Sequence, residues 1–332
     1  MPTRQEREEI ARTRILRVLA KHGIATARTL EQKISDAGPY GQRIDPHILT
    51  SVRNALVNEG ALQRGRHANA PWYSAGNAPG GFVKERLELQ LPVYQAFTNG
   101  AFSMRLGQTL EIATYRAFLE TDIEFYGRFK DLAAHDDSTT YSKEEPPQHR
   151  GRRHLDGQER LDFTVQHPDA GLLGIEIKNV REWLYPHQLE VREALRKCVT
   201  LDCVPVIIGR RIPYVTFMLL STCGVIFHQT YNQLIPATDA ALADQARNKE
   251  LLGYHDLRTG NTPDARLRKF IGTNLMAVAK DARTRYAEYR DILEPFAFGE
   301  MGYSEFAARI RRRSKGQNEN HDWEDEPQDG DE

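Results

Sequence analysis

The sequence predicts an α/β (α+β) protein, a mixed sheet flanked by helices, preceded by a small domain of three helices and a hairpin. Three observations carry that expectation. The chain of 332 residues is about two domains' worth at ~150 residues each. Apolar and polar residues alternate with strand periodicity in 161–165 and 172–178, after which helix-like and strand-like segments come in turn. A glycine- and proline-rich break, Gly76-Asn-Ala-Pro-Gly-Gly81, lies between this region and the helical start of the chain.

Residues 6–22 place Ile10, Ile15, Leu16, Val18 and Leu19 at helical spacing among Arg and Glu, and Gly23 ends the run. Thr26 is suited to cap a short second helix, and Gly38-Pro39-Tyr40-Gly41 supplies a loop. A third helix spans 46–59. Asp45 precedes it, Pro46 takes its first position, Ile48, Leu49, Val52, Leu56 and Val57 form its apolar set, and Gly60 stops it. Residues 61–74 read as two short strands around a polar, basic turn.

Three helices and a hairpin within residues 1–76 resemble a winged helix-turn-helix. In such a domain Arg43, His47, Thr50, Ser51, Arg53 and Asn54 sit on or beside the third helix, and Arg64, Arg66 and His67 fill the wing. Those groups suit the base edges and phosphates of DNA. Twelve Lys and Arg against seven acids leave this stretch at +5. The alternative is a winged helix used for protein contacts, because a fold does not fix a function.

Residues 77–90 are expected to form a linker and 91–300 a second domain with C-terminal helices. Helical spacing recurs through 91–97 and 110–118, and 121–129 is apolar enough for a strand. Residues 133–153 are polar, with Asp136-Asp137, Pro146-Pro147 and the basic run Arg150, Arg152, Arg153, His154 at their end, the composition of a flexible loop.

The residues best suited to chemistry lie between 161 and 178. In 161–165, Leu161, Phe163 and Val165 face one side and Asp162 and Thr164 the other. His167-Pro-Asp-Ala-Gly171 is turn material, and Leu172-Leu-Gly-Ile-Glu-Ile-Lys178 resumes the alternation with Glu176 and Lys178 on one side. An antiparallel hairpin centred on Asp169 makes facing residue numbers sum to 338, which sets Asp162 opposite Glu176 with Lys178 two residues along the same face. Two carboxylates that close are costly unless a divalent cation lies between them. Mg²⁺, or Mn²⁺ in its place, is the natural neutraliser, and the adjacent lysine is placed to orient or help deprotonate an attacking water.

This arrangement resembles the PD-(D/E)xK nucleases, with Asp162, Glu176 and Lys178 at the Asp, acidic and Lys positions. The proline of the family's name is missing, since Arg160 and Leu161 occupy those sites. A bare E-x-K also occurs at Glu31-Gln32-Lys33, in a predicted helix without a partner strand. Context favours the second match. Gly107-Gln-Thr-Leu-Glu111 lies in a helix ahead of the hairpin, where resolvase-like members carry a glutamate that reaches the metal through water. Residues 183–199 read as a helix, 203–209 as a buried strand, 213–223 as a helix and 224–229 as a last strand.

The resemblance covers about 87–236 and implies a restriction-endonuclease-like or Holliday-junction-resolvase-like fold. It implies Asp162, Glu176, Lys178 and Glu111 as catalytic residues, a metal held by Asp162, Glu176, Glu111 and the main chain at Ile177, and Gln188 as a residue supporting the site. Lys197 or Arg196, on the helix after the hairpin, is placed to reach a phosphate, but each is read first as an exposed helix charge. Residues 240–251, 263–292 and 304–313 read as further helices of basic character.

Charge is segregated along the chain. Residues 316–332 hold eight acids and no Lys or Arg, and are read as a disordered acidic tail. Without them the net charge of −1 becomes +7 over residues 1–315, a balance suited to a polyanion. The 40% hydrophobic and 27% charged composition argues against a disordered, collagenous or disulfide-stapled chain. Cys198, Cys203 and Cys223 lack paired spacing and read as buried thiols. No segment suits a membrane span, and the charged start is no secretory signal, so a cytoplasmic location and no membrane partner are expected.

The expected function is that of a Mg²⁺-dependent DNA endonuclease targeted by the winged helix, with RNA not excluded and a homodimer plausible because paired cuts need two sites. The rival is a catalytically silent nuclease fold that binds DNA or scaffolds an assembly.

Overall fold

In the computed structural model, helix α1 (Arg4–His22) begins with a capping box in which the Thr3 hydroxyl accepts from the Glu6 amide and the Glu6 carboxylate from the Thr3 amide. The structure describes residues 2–36, 43–67, 70–134 and 136–319. The expected loop 38–41, the tip of the wing at 68–69 and the acidic tail beyond Glu319 lie outside the described residues. The chain divides into two units, Met1–Met104 with Thr238–Thr259, and Arg105–Ala237 with Gly260 onward.

In the first unit, Ala11, Ile15 and Leu19 form the buried stripe of α1. Strand β1 (Ala25–Thr26) leads into α2 (Ala27–Glu31), whose amide at Thr29 is capped by Thr26, and one wide π turn extends it to Asp36. Helix α3 (Pro46–Asn58) buries Ile48, Leu49, Val52 and Leu56 against α1. Strands β2 (Leu62–His67) and β3 (Ala70–Ala75) pair antiparallel, and β1 adds to the free edge of β3, giving the order β1-β3-β2.

The expected linker is not one. Helix α4 (Gly80–Phe97) occupies most of 77–90, with Gly80-Gly81 opening a helix rather than breaking the chain, and it buries Gln90, Leu91, Val93 and Phe97. The Gln90 amide donates to the last carbonyl of α1, at His22. Helix α8 (Ala240–Arg247) packs on α4, so this unit takes in residues well past 76 and a second segment of chain.

Helix α5 (Gly100–Leu119) carries the chain into the second unit, where a five-stranded mixed sheet is built. Its strands are β4 (Phe125–Tyr126), β9 (Phe163–His167), β10 (Gly171–Lys178), β11 (Val204–Gly209) and β12 (Ile226–Gln229), in the order β12-β11-β10-β9-β4. Pairing is antiparallel from β4 to β10 and parallel from β10 to β12. The β9–β10 register runs from Gly171 opposite His167 to Ile175 opposite Phe163, so facing numbers sum to 338 as the sequence predicts. His167 closes the turn by accepting the amides of Asp169 and Ala170 on one ring nitrogen.

One sheet face (Phe163, Val165, Leu173, Ile175, Val206, Ile208) packs under α5 and the start of α10 (Leu275–Phe298). Fully burying each such side chain contributes about 1.5–3 kcal/mol. The other face packs Ile207 under α6 (Leu189–Leu201), α7 (Tyr214–Thr222), the end of α10 and α11 (Tyr303–Ser314), with the short α9 (Ala265–Lys269) just before α10. Gly224, at φ +80°, lets the turn after α7 touch α10, because a Cβ there would stand 2.2 Å from the Ala282 carbonyl oxygen.

The polar stretch 133–153 is also more ordered than its composition predicts. Strand β5 (Arg128–Phe129) pairs with β6 (Lys143–Glu144), and β7 (His149–Arg150) pairs with β8 (Arg153–His154). Tyr141 and Leu155 anchor it in apolar surroundings, and the Tyr141 backbone exchanges hydrogen bonds with the Gln108 side chain. Among the described residues the architecture is a mixed α/β one with a mixed sheet and no barrel. No helix among them is long and apolar enough to cross a membrane.

Candidate active site

The end of the β9–β10 hairpin brings Asp162, Glu176 and Lys178 together. The Asp162 amide donates to the Ile175 carbonyl at 3.0 Å, one residue out of the 338 register, because Ile175 already faces Phe163, so the expected direct pairing of Asp162 with Glu176 gives way to a bulge at the end of the ladder. Its carboxylate Oδ2 accepts from the Ile177 amide at 2.6 Å, so Asp162 is locked onto the strand that carries its partners. Glu176 is 3% exposed, and its Oε1 accepts from Lys178 Nζ at 2.8 Å, two residues along the same face.

Two further elements supply residues. Helix α5 brings Glu111, whose Oε2 accepts from Lys143 Nζ at 2.8 Å. Lys143, on β6, also lies over the rings of Phe163 (4.6 Å) and Phe129 (5.3 Å), which shield a side chain only 5% exposed. Helix α6 brings Lys197, which donates to both oxygens of Glu176 at 2.9 and 3.1 Å. Gln108, Glu111, Lys143, Glu145, Glu159, Asp162, Glu193 and Lys197 line an open cleft of about 800 Å³. Glu176 is not among its lining residues, but Lys197, which is, holds the Glu176 carboxylate.

The electrostatics are those of a crowded anionic site. Burial, then Glu111 and Glu176, push the Asp162 carboxyl well above the usual aspartate range, against the pull of Lys143 and Lys178. Burial works to lower both Lys143 and Lys178. Glu111 and Asp162 outweigh it at the first, and Glu176 and Asp162 at the second, so both stand above the ordinary lysine value. Both are ammonium ions at neutral pH.

Three carboxylates and the carbonyl of Ile177 are hard oxygen donors of the kind Mg²⁺ or Mn²⁺ takes, and the strain on Asp162 is of the sort a cation relieves. As the side chains stand, ammonium groups supply that positive charge. No three His, Cys, Asp or Glu side chains among the described residues converge closely enough to hold a metal ion. The donor set fits the cation in kind, and engaging it requires Lys143, Lys178 or Lys197 to give up its present partner.

Some expected residues stand elsewhere. Gln188, at the N-terminus of α6, turns its Oε1 to the Tyr185 amide at 3.0 Å instead of to the carboxylates. Lys197 is not the exposed helix charge expected, since its side chain is only 14% exposed. It flanks Ala194 and Cys198 on the buried stripe of α6, a position a helical projection would have flagged. Arg196 reaches Glu159 at 3.0 Å, at the cleft edge. Nothing in the sequence marks Lys143, because its importance comes from the β5–β6 pairing of a stretch without periodicity.

In the first unit, Ser51 and Asn54 on α3 and Arg64 and Arg66 on β2 are exposed, and Arg43 and His47 are half-buried. Arg53 is not available to a ligand. It is 7% exposed and its guanidinium lies 5.0 Å from the Tyr73 ring centre. Comparison of the chain with protein-family models, with curated proteins and with solved structures finds no match in any of the three.

Proposed function

We propose that the second unit is a metal-dependent phosphodiesterase of the PD-(D/E)xK kind, restriction-endonuclease-like in fold, that hydrolyses the DNA backbone. The carrying observation is the juxtaposition of Asp162, clamped to the Ile177 amide, with Glu176 and Lys178 at the end of one hairpin backed by the parallel strand β11. Glu111, on α5 and close enough to Asp162 to raise its carboxyl, supports the reading as the glutamate that the resemblance places in that helix. In the first unit, α1 to α3 and the sheet β1-β3-β2 support the reading of a winged helix that holds DNA through Ser51, Asn54, Arg64 and Arg66.

In this reading Asp162, Glu176, Glu111 and the Ile177 carbonyl hold Mg²⁺ or Mn²⁺, which when bound neutralises charge developing on the phosphoryl group. The protein's own residues do the rest. Lys178 is an ammonium, so it acts as a hydrogen-bond donor that orients the attacking water and stabilises phosphoryl oxygens, not as a base. Lys197 and Lys143 stand at the same cleft, where either can donate to a phosphate oxygen once a cation replaces it on its carboxylate. The Asp162–Ile177 bond keeps carboxylate and lysine in one rigid frame.

The test is incubation of supercoiled plasmid, linear duplex and single-stranded DNA with the protein in Mg²⁺, Mn²⁺ or EDTA. Cutting is expected only with metal, and Lys178→Ala is expected to slow it by about 10²–10³. Cutting in EDTA, or equal cutting by the variant, sinks the assignment. A second reading, a silent nuclease fold that binds DNA, is favoured by one observation: the three lysines satisfy Glu111 and Glu176 without a metal. Its signature is a shifted but uncut band for both proteins.

A further inference from the structure

A second charged cluster lies at the far end of α6, and the proposed chemistry makes no use of it. The helix ends at Asp202, held in a left-handed conformation at φ +53°. Around its carboxylate stand Arg153 at 3.3 Å, Arg283 at 3.3 Å, Arg150 at 3.7 Å and Arg290. Arg150 and Arg153 face each other across the β7–β8 pair, and Arg283 and Arg290 stand two turns apart on α10. Arg290 also meets Glu294 at 3.3 Å. Four guanidiniums against two carboxylates leave an excess of +2.

Like charges gathered on one aspartate repel unless something more shares them. The carbonyls that end α6 take part of that role, Arg290 donating to Val199 at 3.3 Å and Arg283 to Asp202 at 3.4 Å. Arg150 Nη1 also donates to the Asp202 carbonyl at 2.5 Å and the Leu201 carbonyl at 3.5 Å, while the hairpin pair stays open to solvent, Arg150 and Arg153 being 40% and 45% exposed. A guanidinium with free N–H groups at a cationic cluster is a natural fork for a phosphate.

The position is as telling as the charge. Lys197, which holds Glu176, is five residues before Asp202 on the same helix, an axial rise of about 7.5 Å. That is roughly two steps of ~3.4 Å along a nucleic-acid strand.

We propose that Arg150, Arg153, Arg283 and Arg290 around Asp202 form a subsite for a backbone phosphate of the nucleic acid, one or two nucleotides from the bond held at Glu176 and Lys178. The subsite rests on the nuclease reading and extends it, since it gives the substrate a direction along α6. Asp202 sets its strength: the aspartate organises the arginines and also competes with the phosphate for them.

That dual role gives a test whose sign a purely structural cluster would not reproduce. Binding of a fluorescein-labelled 20-base-pair DNA duplex is followed by anisotropy in EDTA, from 50 to 200 mM KCl, with the melting temperature of each protein recorded. Arg150→Ala with Arg153→Ala is expected to weaken binding about tenfold and to reduce the slope of log affinity against log salt by about 1. Asp202→Asn keeps a residue that tolerates the left-handed conformation and removes one negative charge, so it is expected to bind DNA about threefold more tightly. An unchanged slope in the double arginine variant, or weaker binding by Asp202→Asn, overturns the subsite and leaves the nuclease reading standing. Failure of the unaltered protein to bind DNA in EDTA also overturns the subsite, whereas the nuclease reading falls only on the cutting assay with metal.

Discussion

Burial, then Glu111 and Glu176, hold the Asp162 carboxyl well above the ordinary aspartate range. Its folded form keeps a proton to higher pH than the unfolded chain does, so its contribution to stability falls as pH rises above the ordinary aspartate range. An asparagine in its place can still accept from the Ile177 amide and carries no charge. Asp162→Asn is therefore expected to melt above the unaltered protein at neutral pH in EDTA, with the gap closing toward pH 4. On the proposed metal-binding reading the order is expected to reverse in millimolar Mg²⁺, because that reading has only the unaltered site gain stability from the ion. Melting curves over pH with and without Mg²⁺ check both halves, and an Asp162→Asn protein less stable in neutral EDTA sinks the argument. The same residue explains why the site was visible in the sequence: alternation puts Asp162 and Glu176 on one face whatever the rest of the fold does. Lys143 and Lys197 were hidden because their place depends on tertiary packing. Arg53 was a misreading the sequence could have prevented. It falls four residues after Leu49 and three before Leu56, on the inner face of α3.

Strand β10 is the element on which the arrangement depends. Gly174 lies in its middle, where a Cβ would come within 2.5 Å of Cys203 Sγ and 2.8 Å of Cys198 Sγ and Leu161 Cδ1. All three neighbours are buried and have little room to move. Gly174→Ala is expected to cost about 1–3 kcal/mol of stability by overpacking, and adding Cys203→Ala to recover part of it. Denaturant unfolding of the four proteins of that cycle measures the coupling, and strictly additive losses would mean the contact is not the cause. The hairpin register was readable because a two-residue period and a turn fix it together. The first half of helix α4 was not, because Gly80-Gly81 and Pro79 look alike whether they break a chain or open a helix. Segment 133–153 failed for a different reason: its short strands are held by cross-strand partners and by Gln108, not by any pattern of their own.

At the level of the whole molecule, the first unit closes only with Thr238–Thr259, a contribution that no reading along the chain could assign. Each unit also carries its own acid weakness. His22 in the first unit is lowered to about 4 by burial and then by Lys33, against Glu250. His228 in the second, stacked on Phe270, is lowered to about 4 by burial and by Arg266, against Asp264. In the unfolded chain both gain a proton near pH 6.5, so stability is expected to be lost as pH falls from about 6.5 to 4, with no further loss from these groups below that. His228→Phe is expected to flatten that limb, and an unaltered slope in acid-titrated melting curves would assign it elsewhere. The three cysteines are all buried and all belong to the second unit, while the first unit has none. A thiol reagent added to the native protein can react only when that unit breathes, so the labelling curve is a built-in clock for its opening, and the first unit runs silently beside it.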